Sequence, residues 1–200
     1  MRTAMWRNLV AAVAAVAMAA VTTGEARSGV ATAVQARRGD SLAPYVPTPH
    51  DVVDKMLGLA GVGKTDVVYD LGSGDGRLVI AAAKQFGARG VGIDIDPERI
   101  AEARANAKQA GVESLVEFRQ EDAMQAKLTD ATVVTLYLLS SSNVKLRPML
   151  VGQLKPGARV VSHQFGMGDW APAKVETFTD SNGTSRTLYL WNVDAQTPKS

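Results

Sequence analysis

The stretch Asp66-Val67-Val68-Tyr69-Asp70-Leu71-Gly72-Ser73-Gly74-Asp75-Gly76, followed downstream by Val91-Gly92-Ile93-Asp94-Ile95-Asp96, decides the fold. Val67, Val68, Tyr69 and Leu71 form a short apolar run suited to a buried parallel strand. The run stops at Gly72, Gly74 and Gly76, where the missing Cβ lets the backbone turn sharply and come close to a ligand. Residues 77–86 predict a helix, and residues 91–94 a second strand ending on the carboxylate of Asp94. Strand, glycine loop, helix and acid-tipped strand together hold a nucleoside at the carboxyl edge of a doubly wound sheet.

The details of the loop separate one nucleoside from another. A dinucleotide fingerprint, Gly-x-Gly-x-x-Gly, is not met, because the third glycine comes one residue early and Arg77 stands in its place. Asp70 also sits two positions before Gly72, where nicotinamide and flavin folds keep an apolar residue or glycine. The pattern Asp70-x-Gly72-x-Gly74-x-Gly76 resembles motif I of the class I S-adenosylmethionine (SAM) methyltransferases.

Working outward, 200 residues allow one ordinary domain behind a separate leader. Arg2 and Arg7 precede an apolar core at 9–21, then come polar residues and small-residue sites at 24–26 and 34–36. That layout predicts a secretory signal peptide or an amino-terminal anchor over 1–36, with the folded domain over 37–200. The leader would carry the chain outward, to the periplasm or a membrane surface, whereas SAM is a cytosolic cofactor. The core is shorter than the ~20 residues of a membrane span. The leader holds three of the 22 basic and one of the 20 acidic residues, which leaves 19 of each in the domain. A neutral domain without a Lys/Arg cluster argues against nucleic acid as a partner. Cysteine is absent, and His50 and His163 are far apart, so no metal centre is expected.

Residues 44–49 carry three prolines and read as a stiff extended segment. Thr48 is the expected cap of a helix that starts at Pro49 and ends near Gly61 or Gly63, with Val52, Val53, Met56, Leu57 and Ala60 on one face. His50 reads as a solvated or capping residue. Asp96 and Pro97 open a second helix that Gly111 stops; residues 116–119 and 132–138 are strands. Ser140 to Asn143 reads as a break, residues 144–154 as a helix that Pro148 must enter near its start or kink, and residues 158–165 as a fifth strand. Two strand-like runs, 173–179 and 185–193, flank Asp180-Ser181-Asn182-Gly183-Thr184 and predict a closing hairpin in which Tyr189 and Trp191 share a face.

Tyr45-Val46-Pro47, the glycine motif through Arg77, and Gly157-Ala158-Arg159-Val160-Val161-Ser162 narrow the resemblance over 44–193. They are similar to the small seven-strand protein-lysine methyltransferases that act on the mitochondrial ATP synthase c subunit and the ADP/ATP carrier, and to their prokaryotic relatives. The resemblance implies an α/β fold: a three-layer, Rossmann-like, mostly parallel sheet of strand order 3-2-1-4-5-7-6 with an antiparallel hairpin at the end. It implies that Asp70 and the loop of Gly72, Ser73, Gly74 and Gly76 line the methionine end of SAM. Asp94 would accept both ribose hydroxyls, Ile95 would pack on adenine, and Asp122 would meet the adenine amino group or simply cap a helix. Asp75 is expected at the exposed loop tip, and Glu121 in solvent. On the substrate side Tyr45 and His163 are the candidate catalytic residues, with Tyr137, Ser140 and Trp170 beside them; a buried, hydrogen-bonded role for His163 stands next to the catalytic one. Residues 137–142 lack the Asn/Asp-Pro-Pro-Tyr clamp of many nitrogen methyltransferases. The implied substrate is a protein or peptide amine. A small-molecule or lipid acceptor, or a SAM-binding module without turnover, are the alternatives.

Overall fold

A computed structural model describes residues 42–194; the predicted leader at 1–36 lies outside them. Along the chain run α1 (His50–Ala60), β1 (Val67–Leu71), α2 (Arg77–Phe86), β2 (Arg89–Asp94), α3 (Pro97–Ala110), β3 (Val116–Gln120), β4 (Val133–Leu136), α4 (Ser140–Gln153), β5 (Arg159–His163), β6 (Lys174–Thr179) and β7 (Ser185–Asn192). The strands form one sheet ordered β3-β2-β1-β4-β5-β7-β6, the order the resemblance implies. Strands β1 to β5 are parallel, and β7 pairs antiparallel with both β5 and β6. All parallel strands therefore finish at one edge, and the reversal of strand order between β1 and β4 opens a crevice there.

Period-2 alternation sends side chains to two separate cores. Tyr69, Leu71, Ile93, Val134, Leu136 and Val160 pack with Leu146 and Leu150 of α4 on one face. Val68, Val133 and Val161 pack with residues of α1, α2 and α3 on the other. Strand β4 is buried at all four positions, as a central strand covered on both faces must be. Both sheet edges carry charge: Glu117 pairs with Arg119 on β3, and Lys174 with Glu176 on β6.

Several element boundaries differ from the sequence reading: the strand read over 132–138 runs only from Val133 to Leu136, and the one read over 158–165 from Arg159 to His163, so that Tyr137, Gln164 and Phe165 lie beyond the sheet. Pro49, extended at φ −56° and ψ 148°, is itself the cap of α1, and the helix starts at His50. Thr48 caps nothing; it is buried, and its carbonyl accepts a 2.7 Å hydrogen bond from Arg77 Nη1. Helix α4 begins at Ser140 instead of 144, because the amides of Ser142 and Asn143 already turn back to the Leu139 carbonyl at 2.9 and 3.0 Å. The serines read as a break are thus its first turn. Pro148 then falls in the helix interior, on an exposed flank, where it withholds the N–H that would reach Val144. Helix α3 matches its prediction: Asp96 accepts the Glu98 amide at 2.8 Å, Pro97 is first, and Gly111 closes the helix at φ 69°.

Candidate active site

The glycine loop hangs from the end of β2. The Ile93 carbonyl accepts the amides of Gly72 and Ser73 at 2.8 and 2.9 Å. Beyond it, Asp94 Oδ2 accepts the Gly74 amide at 2.8 Å and Oδ1 the Asp96 amide at 2.9 Å. One carboxylate is therefore fixed by backbone donors on both oxygens, and each oxygen keeps a lone pair for a further donor. Two acceptors held side by side match the two hydroxyls of a ribose.

Asp70, at the other end of the loop, is buried on β1 beside Gly92 and Thr135. Thr135 Oγ1 donates to it at 2.7 Å. Burial pushes its carboxyl up to about 7; the Thr135 hydrogen bond opposes this, and the negative charges of Asp94 and Asp75 add to it. A buried acid whose neighbours are a hydroxyl and two carboxylates is suited to receive a cation. Ser73 Oγ, also buried, has no hydrogen-bond partner among the described residues. SAM fits this set: a diol for Asp94, an α-ammonium group for Asp70, and polar atoms of its methionine for the orphaned hydroxyl.

The loop glycines make the sharp turn the sequence suggested, with Gly72, Gly74 and Gly76 at φ 81°, 52° and 79°, and they serve a second purpose besides. A Cβ on Gly74 would lie 2.5 Å from the Tyr45 ring, and one on Gly76 or Gly92 would lie 2.6 Å from the Phe118 ring. The vacated space holds the protein's own aromatic rings. Phe118 wedges between loop and sheet, while Tyr45, half exposed, lies over the loop with the Arg99 guanidinium 4.7 Å from its ring centre. Asp75 is not exposed at the tip: its side chain is 14% accessible and pairs with Arg77 at 2.6 Å. Glu121 is half-buried instead of fully solvated, and its amide donates to the Asp94 carbonyl at 3.0 Å. Ile95 is half-buried directly after Asp94. Asp122 caps a short 3₁₀ turn, accepting the Met124 amide at 2.9 Å, so its capping role is realised.

At the ends of β4 and β5 the picture changes. His163 is fully buried, but neither ring nitrogen has a hydrogen-bond partner among the described residues, unlike the hydrogen-bonded histidine of the alternative reading. Burial, with the positive charge of Arg186 second and Asp180 opposing, lowers its pKa to about 4, so the imidazole is neutral at pH 7. Its ring packs 4.0 Å from that of Tyr137, and Tyr137 lies 6.2 Å from Phe165. Trp170 stands apart, buried against Trp191, whose Nε1 donates to the Trp170 carbonyl at 2.8 Å. Ser140 is exposed at the start of α4, and His50 is exposed on α1. Sequence reasoning missed Thr135, Phe118, Asn143 and Phe165. Thr135, Phe118 and Phe165 sit in runs that read only as strand, and Asn143, in a stretch read as a break, acts through neighbours distant in the chain.

Residues 70–174 match the model of the ANTKMT methyltransferase domain. The chain is 46% identical over 149 residues to a protein-lysine N-methyltransferase of Saccharolobus islandicus, covering 74% of this chain and 92% of that one. It is 35% identical over 152 residues to the mouse adenine nucleotide translocase lysine N-methyltransferase, covering 76% of this chain and 62% of the relative's length. Among solved structures, an RNA methyltransferase from Salinibacter ruber in complex with S-adenosyl-L-homocysteine superimposes with a TM-score of 0.72 at 58% identity, over 78% of this chain and 98% of that one. Together with the seven-strand order and the Asp94 cradle, these likenesses mean that the chain belongs to the ANTKMT methyltransferase domain family.

Proposed function

We propose that this protein transfers a methyl group from SAM to the side-chain amine of a lysine in a protein substrate. The observation that carries the reading is Asp94, its two oxygens already aligned by the amides of Gly74 and Asp96. SAM supplies a methyl group on a sulfonium, which is already an activated leaving group, so the chain's task is alignment and exclusion of water. An oriented pair of reactants can lower the barrier by ~7–11 kcal/mol at best. The lysine must arrive deprotonated, and His163, neutral and titrating near pH 4, is a weak base for that purpose.

The names of the archaeal and mouse relatives favour a protein acceptor. A second reading, an RNA acceptor, is favoured by the name of the Salinibacter ruber structure; the equal count of acidic and basic residues in the domain speaks against it. Tritiated SAM, offered in parallel with a lysine peptide pool and with total RNA, separates the two by which one takes the label. Calorimetry with SAM, S-adenosylhomocysteine and NAD tests the cofactor; no heat with the first two removes the assignment. The leader reading of 1–36, and with it an outward or membrane-attached location, is part of this proposal. Amino-terminal sequencing and fractionation of protein from cells test it: a mature chain starting after Ala26 or Ala36 supports a cleaved signal, an intact Met1 on membrane-bound protein supports an anchor, and an intact Met1 on cytosolic protein refutes both.

A further inference from the structure

The geometry points to Tyr137 and Phe165 as an aromatic wall that holds the acceptor amine, with Asn143 as the positioning residue that fixes Phe165 by clamping a strained turn. This rests on the amine-methylation reading above and extends it to the chain's own substrate side.

The turn is the first observation. Gln164 has φ 69°, alone among the described non-glycine residues in the left-handed region. The Phe165 amide donates to the His163 carbonyl at 2.9 Å, so residues 163–165 close a three-residue γ-turn of the rare, strained hand. Such a conformation persists only where the surroundings over-determine it. Here they do. Asn143 Nδ2, from the first turn of α4, donates to Ser162 Oγ at 3.1 Å, to the Phe165 carbonyl at 3.1 Å and to the Gly166 carbonyl at 3.3 Å. Ser162 Oγ donates to the Phe165 carbonyl at 2.6 Å, and on the other side Gln164 and Thr187 exchange backbone and side-chain bonds. Asn143 and Ser162 are both fully buried. A buried polar clamp spent on one kinked residue fixes the direction in which Phe165 leaves the sheet.

The second observation is where Phe165 goes. Its ring lies 28° from parallel with Tyr137, which in turn packs on the fully buried His163. Leu136 is in register with Leu71 and Ser162, so one residue further along Tyr137 sits between Gly72 of the cofactor loop and His163. Tyr137 and Phe165 are half-buried, so the wall remains open to an incoming chain at the edge where the methyl donor's loop begins.

The chemistry asks for such a wall. A lysine first loses a proton to solvent. Its lone pair then forms the C–N bond while the C–S pair returns to sulfur, which leaves a neutral thioether and a methylammonium. Positive charge thus moves onto nitrogen during the reaction, and an aromatic face favours a cation there over a neutral amine. Neutral His163 adds no opposing charge beneath the ring.

The test measures binding as well as turnover. In the presence of S-adenosylhomocysteine, calorimetry compares a pentapeptide carrying Nε-trimethyllysine with its uncharged tert-butyl isostere. The wall predicts a preference of about three- to tenfold for the cation, absent in Phe165→Ala. With tritiated SAM and a peptide pool bearing a central lysine, Phe165→Ala raises KM about tenfold while SAM affinity stays within about twofold. Because Asn143→Ala can fail to fold, Ser162→Ala serves as the second variant: it removes the donor 2.6 Å from the Phe165 carbonyl and an acceptor of Asn143 with little change in volume. It melts close to wild type, keeps SAM affinity within about twofold and raises KM for the lysine peptide about threefold. Equal binding of the two peptides, or an unchanged KM in both Phe165→Ala and Ser162→Ala, overturns the proposal. A wild type that labels RNA and no peptide instead overturns the acceptor reading, and the wall falls with it.

Discussion

The two halves of the crevice are built on different principles. At the ends of β1 and β2 the site is made of backbone: the Ile93 carbonyl takes two loop amides, and Asp94 takes two more. At the ends of β4 and β5 it is made of side chains, with Asn143 reaching across to Ser162, Phe165 and Gly166. The loop amides are spent on the protein's own Ile93 and Asp94, so they hold the loop and the Asp94 carboxylate in place whatever the neighbouring side chains are. Side-chain clamps can be rebuilt to suit a different acceptor without disturbing that loop.

The largest expected effect lies in the cofactor half. Asp70 ionises near pH 7 when folded and near 3.8 when unfolded, so between those values the folded state binds the extra proton and stability falls as pH rises. Fully realised, such a raised carboxyl destabilises the cofactor-free protein by up to about 4 kcal/mol above pH 7. Asp70→Asn should flatten the decline of Tm between pH 4 and 7, and SAM should restore more stability to wild type than to the variant. A parallel decline in both proteins would remove Asp70 from the account. Next comes Asp94→Ala, which gives up charge-assisted bonds worth about 1.5–3 kcal/mol and should weaken SAM roughly ten- to a hundredfold by calorimetry. An unchanged affinity would mean that the sugar is held elsewhere.

Gly92→Ala should cost about 1–3 kcal/mol, because its Cβ would meet Phe118 at 2.6 Å and Ser73 Oγ at 2.8 Å. Thermal melting reads this directly, and a neutral result would show that Phe118 gives way freely. The smallest effect belongs to the acceptor half. Ser162→Ala removes the hydrogen bond to the Phe165 carbonyl with little change in volume and should cost about 1 kcal/mol, lowering Tm by about 2–4 °C. It should leave SAM affinity within about twofold; a larger loss there would show that the halves are coupled.

The same division explains what could be read from the sequence. The strand runs, the glycine loop, Asp94 and the cap at Asp96 depend on residues close together in the chain, and their spacing carries the message. The hairpin was legible for the same reason. The turning role of the loop glycines was legible too, but their packing role was not, since Gly76 and Gly92 make room for Phe118, and no spacing reveals which ring fills a gap. Ser140 to Asn143 read as a break because serine and asparagine suit turns and caps, yet burial of Ser142 and Asn143 against distant partners draws them into α4. Nothing around His163 in the sequence announces an imidazole without a partner, because its isolation is a property of the fold around it.

The outermost strands have a consequence for how other chains can approach. Glu117 and Arg119 on β3, and Lys174 and Glu176 on β6, line the two open margins of the sheet with charge. Adding a foreign strand there would bring those groups against a new backbone, the means by which natural sheets resist polymerising into fibrils. Lengthening the sheet sideways is therefore disfavoured at both margins, which leaves the end where the parallel strands terminate free for the acceptor proposed above.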